Sequence, residues 1–192
     1  LTYGIYSTAN DAPTGEENKV VNNLIYNFNS LTGTQYGIYN TGSNNVWYYH
    51  NTVVLDNAGT TSGTTRGFYH TTTSTGIQFK NNIVYVARGG SGAKYVLYFN
   101  ATASEIVSDY NVLYGIGVNG IGFYSSAQAT LADWEQVDSN AYGQNSVRED
   151  PMFTAPGFDY TPTSPAINNI GEYVGVDTDI TGRIRNMSVP DP

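Results

Sequence analysis

Residues 36–55 read YGIYNTGSNNVWYYHNTVVL. A short apolar-aromatic run is followed by a turn of small polar residues, an alternating run, an Asn and a third apolar run. That order spells strand, turn, strand, bend, strand. The opening motif recurs as Tyr3-Gly4-Ile5-Tyr6, Gly67-Phe68-Tyr69, Tyr95-Val96-Leu97-Tyr98 and Gly122-Phe123-Tyr124. Its central apolar residue falls at 5, 38, 68, 97 and 123, at intervals of 33, 30, 29 and 26. Self-similarity at such a period marks a solenoid, in which each repeat buries its apolar face against the next.

A second column, Asn23, Asn51, Asn82 and Asn111, recurs at intervals of 28, 31 and 29. Five and three residues before each Asn stand Asn18/Val20, Val46/Tyr48, Ile77/Phe79 and Ile106/Ser108, and two residues after it stand Ile25, Val53, Val84 and Leu113. Period-2 alternation places these positions on one face, the interior. A sharp bend needs a short side chain that tolerates unusual φ/ψ, and amides stacked in register can bond one to the next. The predicted fold class is therefore all-β: a right-handed parallel β-helix of about five coils with an Asn ladder, roughly 24 Å tall at about 4.8 Å per coil. Coils are expected over 1–125. A short helix, a final strand and an irregular C-terminal capping tail packed on the same domain are expected over 126–192.

Composition narrows the function. Of the 192 residues, 12% are charged, against about 25% in a typical soluble domain, so Asn, Thr, Ser, Gly and 17 Tyr must cover the surface. The net charge of −8, with eight scattered Lys and Arg, argues against nucleic acid. There is no Cys for a disulfide or a thiolate metal site, and no apolar run of about 18 residues for a membrane span. The chain opens inside its own repeat, from which a lost beginning and a larger parent polypeptide are expected.

Beyond Tyr124 the pattern changes, and six of the seven prolines lie past residue 150. Thr130-Leu131-Ala132-Asp133-Trp134 reads as a capped helix. Asp150-Pro151-Met152-Phe153, Ser164-Pro165-Ala166-Ile167 and Asp179-Ile180-Thr181-Gly182-Arg183 follow. This series resembles the C-terminal region of bacterial secreted right-handed parallel β-helix proteins, the pectate-lyase-like superfamily, in which a Thr-Leu-x-x-Trp helix precedes Asp-Pro-x-Phe, Ser-Pro-Ala-Ile and Asp-x-x-Gly-x-x-Arg segments. The resemblance implies an extracellular or bacterial cell-surface protein that is polysaccharide lyase-like or a surface protein. It transfers no catalytic site, because these motifs are structural.

With Ile5, Ile38, Phe68, Leu97 and Phe123 facing inward, strict alternation turns Tyr6, Tyr39, Tyr69, Tyr98 and Tyr124 outward. It also turns Gly4, Gly37, Gly67, Val96 and Gly122 outward beside them. Tyrosine rings along a shallow strip suit the C–H faces of sugar rings, so these tyrosines are carbohydrate-binding candidates. Plain stacking between coils, or coverage by a loop or partner chain, accounts for them as well. Trp47, in a second outward column with Lys19 and Gln78, is a further candidate for ligand contact or for packing, with Lys19 placed for a cation–π contact. Lys80 and Asp109 are expected to pair, and His50 to be a partly exposed turn residue.

A lyase needs charge neutralisation and a base, and a hydrolase needs two nearby carboxylates. Neither set gathers in one column, so no catalytic residue is assigned. No metal site is assigned from the histidines, although Asp177 and Asp179 could hold Ca²⁺ through carboxylate and carbonyl oxygens. The expected function is a non-catalytic extracellular module of a large secreted or cell-surface protein, serving as a stalk, adhesin part or glycan-contacting surface. The alternative is the distal part of a polysaccharide lyase or hydrolase whose catalytic residues lie in missing N-terminal coils.

Overall fold

The structure, a computed structural model, describes residues 1–139 and 141–192. The first coil contains β1 (Thr2–Thr8), β2 (Asn18–Val21) and β3 (Leu24–Ile25), and the second β4 (Gln35–Thr41), β5 (Val46–Tyr49) and β6 (Thr52–Leu55). The third holds β7 (Thr65–Thr71), β8 (Ile77–Lys80) and β9 (Ile83–Val86), the fourth β10 (Lys94–Phe99), β11 (Ile106–Asp109) and β12 (Val112–Gly115). Like strands pair in parallel from coil to coil, giving three sheets in the orders β1-β4-β7-β10, β2-β5-β8-β11 and β3-β6-β9-β12. The chain is thus an all-β parallel β-solenoid of about four turns. The fifth copy of the motif supplies only β13 (Gly122–Tyr124), which folds back antiparallel through β14 (Ser126–Gln128) and ends the stack.

The interior of the second to fourth coils is mainly apolar and closed to solvent, whereas Ile5 and Val20 of the first coil are only partly buried. Ile38, Phe68 and Leu97 from the first sheet meet Val46, Tyr48, Ile77 and Phe79 from the second, and Val53, Val84 and Leu113 from the third. Phe68 and Phe79 stack with centroids 4.3 Å apart. Burial of each such side chain contributes about 1.5–3 kcal/mol.

The Asn column forms the expected ladder. Asn23 Nδ2 donates to Asn51 Oδ1 at 2.8 Å, Asn51 Nδ2 to Asn82 Oδ1 at 3.0 Å, and Asn82 Nδ2 to Asn111 Oδ1 at 3.1 Å. Each Oδ1 also accepts the backbone N–H of the Asn above, and Asn111 N–H is received by Ser146 Oγ at 3.1 Å. The residue before each Asn (Asn22, His50, Asn81, Tyr110) has a φ of +52° to +58°, the left-handed bend that the ladder stabilises.

At another corner Arg88, 2% exposed, donates to Thr60 Oγ1, Thr65 Oγ1 and Gly33 O, each at 3.0 Å, and to Ser30 O at 3.2 Å. Its partners are hydroxyls and carbonyls of the loops before β4 and β7, so one side chain ties three coils together. Desolvation lowers its pKa.

The first sheet departs from simple alternation. Gly37 and Ile38 are consecutive and both buried: a Cβ on Gly37 would lie 2.2 Å from Val53 Cγ1, and one on Gly67 2.2 Å from Val84 Cγ1. The glycines therefore face the third sheet, where only a missing side chain fits, and the expectation that they form an outward strip is corrected. In β13 the register is one residue off the motif alignment, because Phe99 pairs with Tyr124. Gly122 accordingly falls in the core position held by Leu97 one coil earlier, and the Trp134 indole fills the space its side chain leaves.

Trp134 ends α1 (Leu131–Trp134), whose N-cap Thr130 accepts from Asp133 N–H while Asp133 accepts from Thr130 N–H. The fully buried indole packs on Phe99 at 5.0 Å and on Tyr142 at 5.3 Å, and plugs the end of the core. The tail runs back along the flank. The hairpin β15 (Phe153–Ala155) and β16 (Asp159–Pro162) lies by Tyr85, and Ile167 packs on Ile83 and Val112 outside the third sheet. Farther on, Asn81 exchanges hydrogen bonds with Glu172 main chain, and Asn22 donates to Thr178 O.

Candidate functional site

The outward surface of the first sheet carries two columns of large side chains. Along one run Tyr6, Tyr39, Tyr69, Tyr98 and Phe123; along the other run Tyr3, Tyr36, Arg66 and Tyr95. They stand three residues apart in each strand because the inward pair at Gly37 and Ile38, and its equivalents, shifts the phase. Four of the five expected tyrosines are thus brought together. Tyr124 is not: the slipped register sends Phe123 outward in its place, and Tyr124 turns to Tyr142 at 5.9 Å and donates to Thr102 O. Phe123 stacks on Tyr98 with centroids 4.2 Å apart and 2° between planes.

The rings pack in registered pairs. Tyr39 and Tyr69 stack at 4.6 Å and 11°, Tyr6 and Tyr39 at 5.2 Å and 25°. Parallel strands hold successive rings about 4.8 Å apart, close to the stacking distance of aromatic groups. Tyr6 is 48% exposed, and the others are half-buried by one another.

Arg66 is the residue that motif counting missed. Its Cζ lies 3.8 Å from the Tyr69 centroid and 3.7 Å from that of Tyr98, with Tyr36 at 5.4 Å. Tyr69 and Tyr98 meet edge-on, at 86° with centroids 5.4 Å apart, and the Arg66 cation sits in the corner that the two rings form. Burial raises the Tyr36 and Tyr69 phenols above their ordinary pKa and the Arg66 charge opposes the rise. Arg66 Nε is buried with no hydrogen-bond partner among the described residues. The signal available beforehand was its register: Arg66 stands where Tyr36 and Tyr95 stand.

Trp47 lies on the second sheet, away from the tyrosine columns, at the register position of Lys19 and Gln78. Lys19 Nζ is 5.2 Å from its centroid, and Tyr49 packs beside it at 5.7 Å. The anticipated Lys80–Asp109 pair is replaced. Lys80 forms an ion pair with Glu172 of the tail, while Asp109 accepts from Asn145 N–H and Nδ2–H, each at 2.7 Å.

Both histidines are interior. His50 is 5% exposed and not a partly exposed turn residue, because the tail covers its corner. Burial, aided by the Arg185 charge, holds its pKa down at about 3. His70 is fully buried, bonds Ser104 Oγ at 2.8 Å, and is held by burial at about 4. Among the described residues no group of three His, Asp or Glu side chains gathers as a metal would require. Asp177 accepts from Tyr173 OH at 2.7 Å, and Asp179 accepts from the Thr181 and Arg183 amides. Among the described residues no helix is long and apolar enough to cross a membrane.

Fold and surface together define a small parallel β-solenoid with an aromatic face that holds one arginine against its rings. No protein-family model matches the chain, and no curated protein or solved structure matches it either.

Proposed function

We propose that this chain is a non-catalytic module of a secreted or cell-surface protein, and that it contacts glycans through the outward face of its first sheet. The observation that carries the reading is the pair of registered columns, Tyr6-Tyr39-Tyr69-Tyr98-Phe123 beside Tyr3-Tyr36-Arg66-Tyr95. Aromatic planes offer their faces to sugar C–H groups, phenols exchange hydrogen bonds with hydroxyls, and the Arg66 guanidinium adds a donor fork. A chain with 12% charged residues and a neutral polar surface suits an extracellular setting. The order of tail motifs from Thr130 to Gly182 supports a relationship to the bacterial pectate-lyase-like proteins.

A glycan array probed with the wild-type chain, with Tyr39→Ala/Tyr69→Ala/Tyr98→Ala, and with the same three positions changed to Phe tests the reading. Binding kept by the Phe variant and lost by a folded Ala variant makes ring stacking the recognition device. Absence of binding by the wild-type chain refutes the glycan contact and leaves the columns as inter-coil packing on a stalk.

A further inference from the structure

The two outward columns of the first sheet hold aromatic rings and a single charge, that of Arg66. Three arginines of this chain are drawn at least partly out of solvent, and Arg66 differs from the other two. Arg88 gives its donors to hydroxyls and carbonyls, and Arg185 gives Nη1 to Asp191 O and Nη2 to Asn22 Oδ1. Arg66 has the Tyr98 and Tyr69 rings at 3.7 and 3.8 Å and, among the described residues, at most the Tyr69 hydroxyl for its donors. No carboxylate stands within ion-pair distance of it, since the salt bridge formed among the described residues is Lys80–Glu172.

The side chain is half-buried, and of its nitrogens Nε alone is sealed from solvent. Both Nη nitrogens therefore open on the outer surface. A phenol oxygen takes one of their hydrogens and leaves the rest unused. The rings offer the cation their π faces but no negative charge, so it stays uncompensated where a ligand can meet it. Packing between rings also fixes the plane of the group, which reduces the side-chain entropy that binding would otherwise cost.

A planar donor fork with an unbalanced charge matches a carboxylate, whose two oxygens accept from the two Nη nitrogens together. The surroundings limit how much charge the ligand carries. A saccharide ionised on every unit finds one cation in the columns, sets its remaining charges against rings, and meets a chain of net charge −8. We propose that the saccharide taken by this face is a mainly neutral chain bearing an isolated carboxylate, which the Arg66 Nη fork receives while the neighbouring tyrosines border its neutral units. The proposal rests on the reading of this face as a glycan surface and adds to it the charge of the ligand.

The test compares tetrasaccharides that differ in charge, added to the whole ¹⁵N-labelled chain: xylotetraose, xylotriose bearing one glucuronate, and tetragalacturonate. NMR follows the Arg66 Nε–H signal, a buried reporter beside the proposed contact. The expected result is a saturable shift with the glucuronate-bearing sugar, which binds about tenfold more tightly than xylotetraose and more tightly than tetragalacturonate. Arg66→Tyr, which introduces the residue that this column already holds at Tyr36 and Tyr95, is expected to remove the difference between the acidic and the neutral sugar. The proposal is overturned if xylotetraose binds as tightly as its glucuronate-bearing counterpart, if tetragalacturonate binds most tightly, or if a folded Arg66→Tyr variant keeps the preference. In each of those cases a sugar still binds, and the reading of the face as a glycan surface stands. If none of the sugars binds, the proposal falls as well, and the array with the wild-type chain decides separately whether the face takes any glycan.

Discussion

Replacing Asn82 with Ala removes the centre of the Asn ladder, and the size of the penalty follows from what is left behind. Asn82 Oδ1 receives both Asn51 N–H and Asn51 Nδ2–H at 3.0 Å, and Asn51 is fully buried. Truncation orphans these two donors in a dry interior, and each costs about 1–3 kcal/mol. The carbonyls of Tyr48 and Lys80 and the Oδ1 of Asn111 lose one donor each as well, which matters less because an oxygen has two lone pairs. The sum is about 4 kcal/mol, a large part of a stability that is typically about 5–15 kcal/mol. Asn23 is the internal control. It donates to Asn51 Oδ1 and Val21 O, so Asn23→Ala deprives acceptors alone and should cost about 1 kcal/mol. Urea unfolding followed by tyrosine and tryptophan fluorescence measures both. Equal penalties, or an Asn82→Ala penalty below about 1 kcal/mol, would refute the argument that the ladder acts by satisfying buried donors.

Arg88→Met keeps the stem but removes every donor that it gives to the segments leading into β4 and β7, and should cost about 3–5 kcal/mol by denaturant titration, with Arg88→Lys in between. Gly67→Ala should destabilise by about 1–3 kcal/mol, since the new methyl meets Val84 Cγ1 at 2.2 Å and the Val96 carbonyl at 2.5 Å; a neutral result would contradict the inward placement of the glycine column. His50 and His70 have folded pKa values depressed to about 3 and 4, against about 6.5 unfolded, so their contribution is present above pH 6.5 and lost as pH falls. Unfolding free energy should drop with a slope approaching about 2.7 kcal/mol per pH unit near pH 5, and His70→Asn, the residue its column already holds at Asn40, should halve that slope. At the alkaline end Tyr48, pushed up by burial to about 12, makes stability fall once pH passes about 10, where the unfolded phenol ionises first.

The sequence carries the architecture in its spacing. The intervals between Asn23, Asn51, Asn82 and Asn111 locate one bend per coil, and alternation around them identifies the interior of the second and third sheets without error at Val46, Tyr48, Phe79 or Leu113. Alternation fails in the first sheet because it assumes a regular pleat. Gly37 sits so close to Val53 that two consecutive residues face inward, and a period-2 template cannot register that step. The match of Gly122-Phe123-Tyr124 to Gly67-Phe68-Tyr69 was a coincidence of residue types. The true register depends on Trp134, 12 residues downstream, supplying the side chain that Gly122 lacks. Arg66 escaped for a related reason: charge in an aromatic column looks like an interruption until its planar group is seen to stack. Partners contributed by the tail, such as Glu172 for Lys80 and Arg185 beside His50, are long-range pairings that no local pattern encodes.

The Asn ladder has a direction. Every amide hands its hydrogen down the stack, from Asn23 towards Asn111, and at the lower end Ser146 offers a hydroxyl where a fifth amide oxygen would stand. Beneath it the Trp134 plug closes the bore. At the upper end Asn23 Oδ1 has no donor among the described residues, the same acceptor that each inner coil presents to the coil above it. The two ends are therefore unlike, as the ends of a polar filament are. On the Ser146 side the ladder closes on a hydroxyl, while on the Asn23 side an open acceptor stands beside the tail, which Asn22 holds by donating to Thr178 O and accepting from Arg185 Nη2.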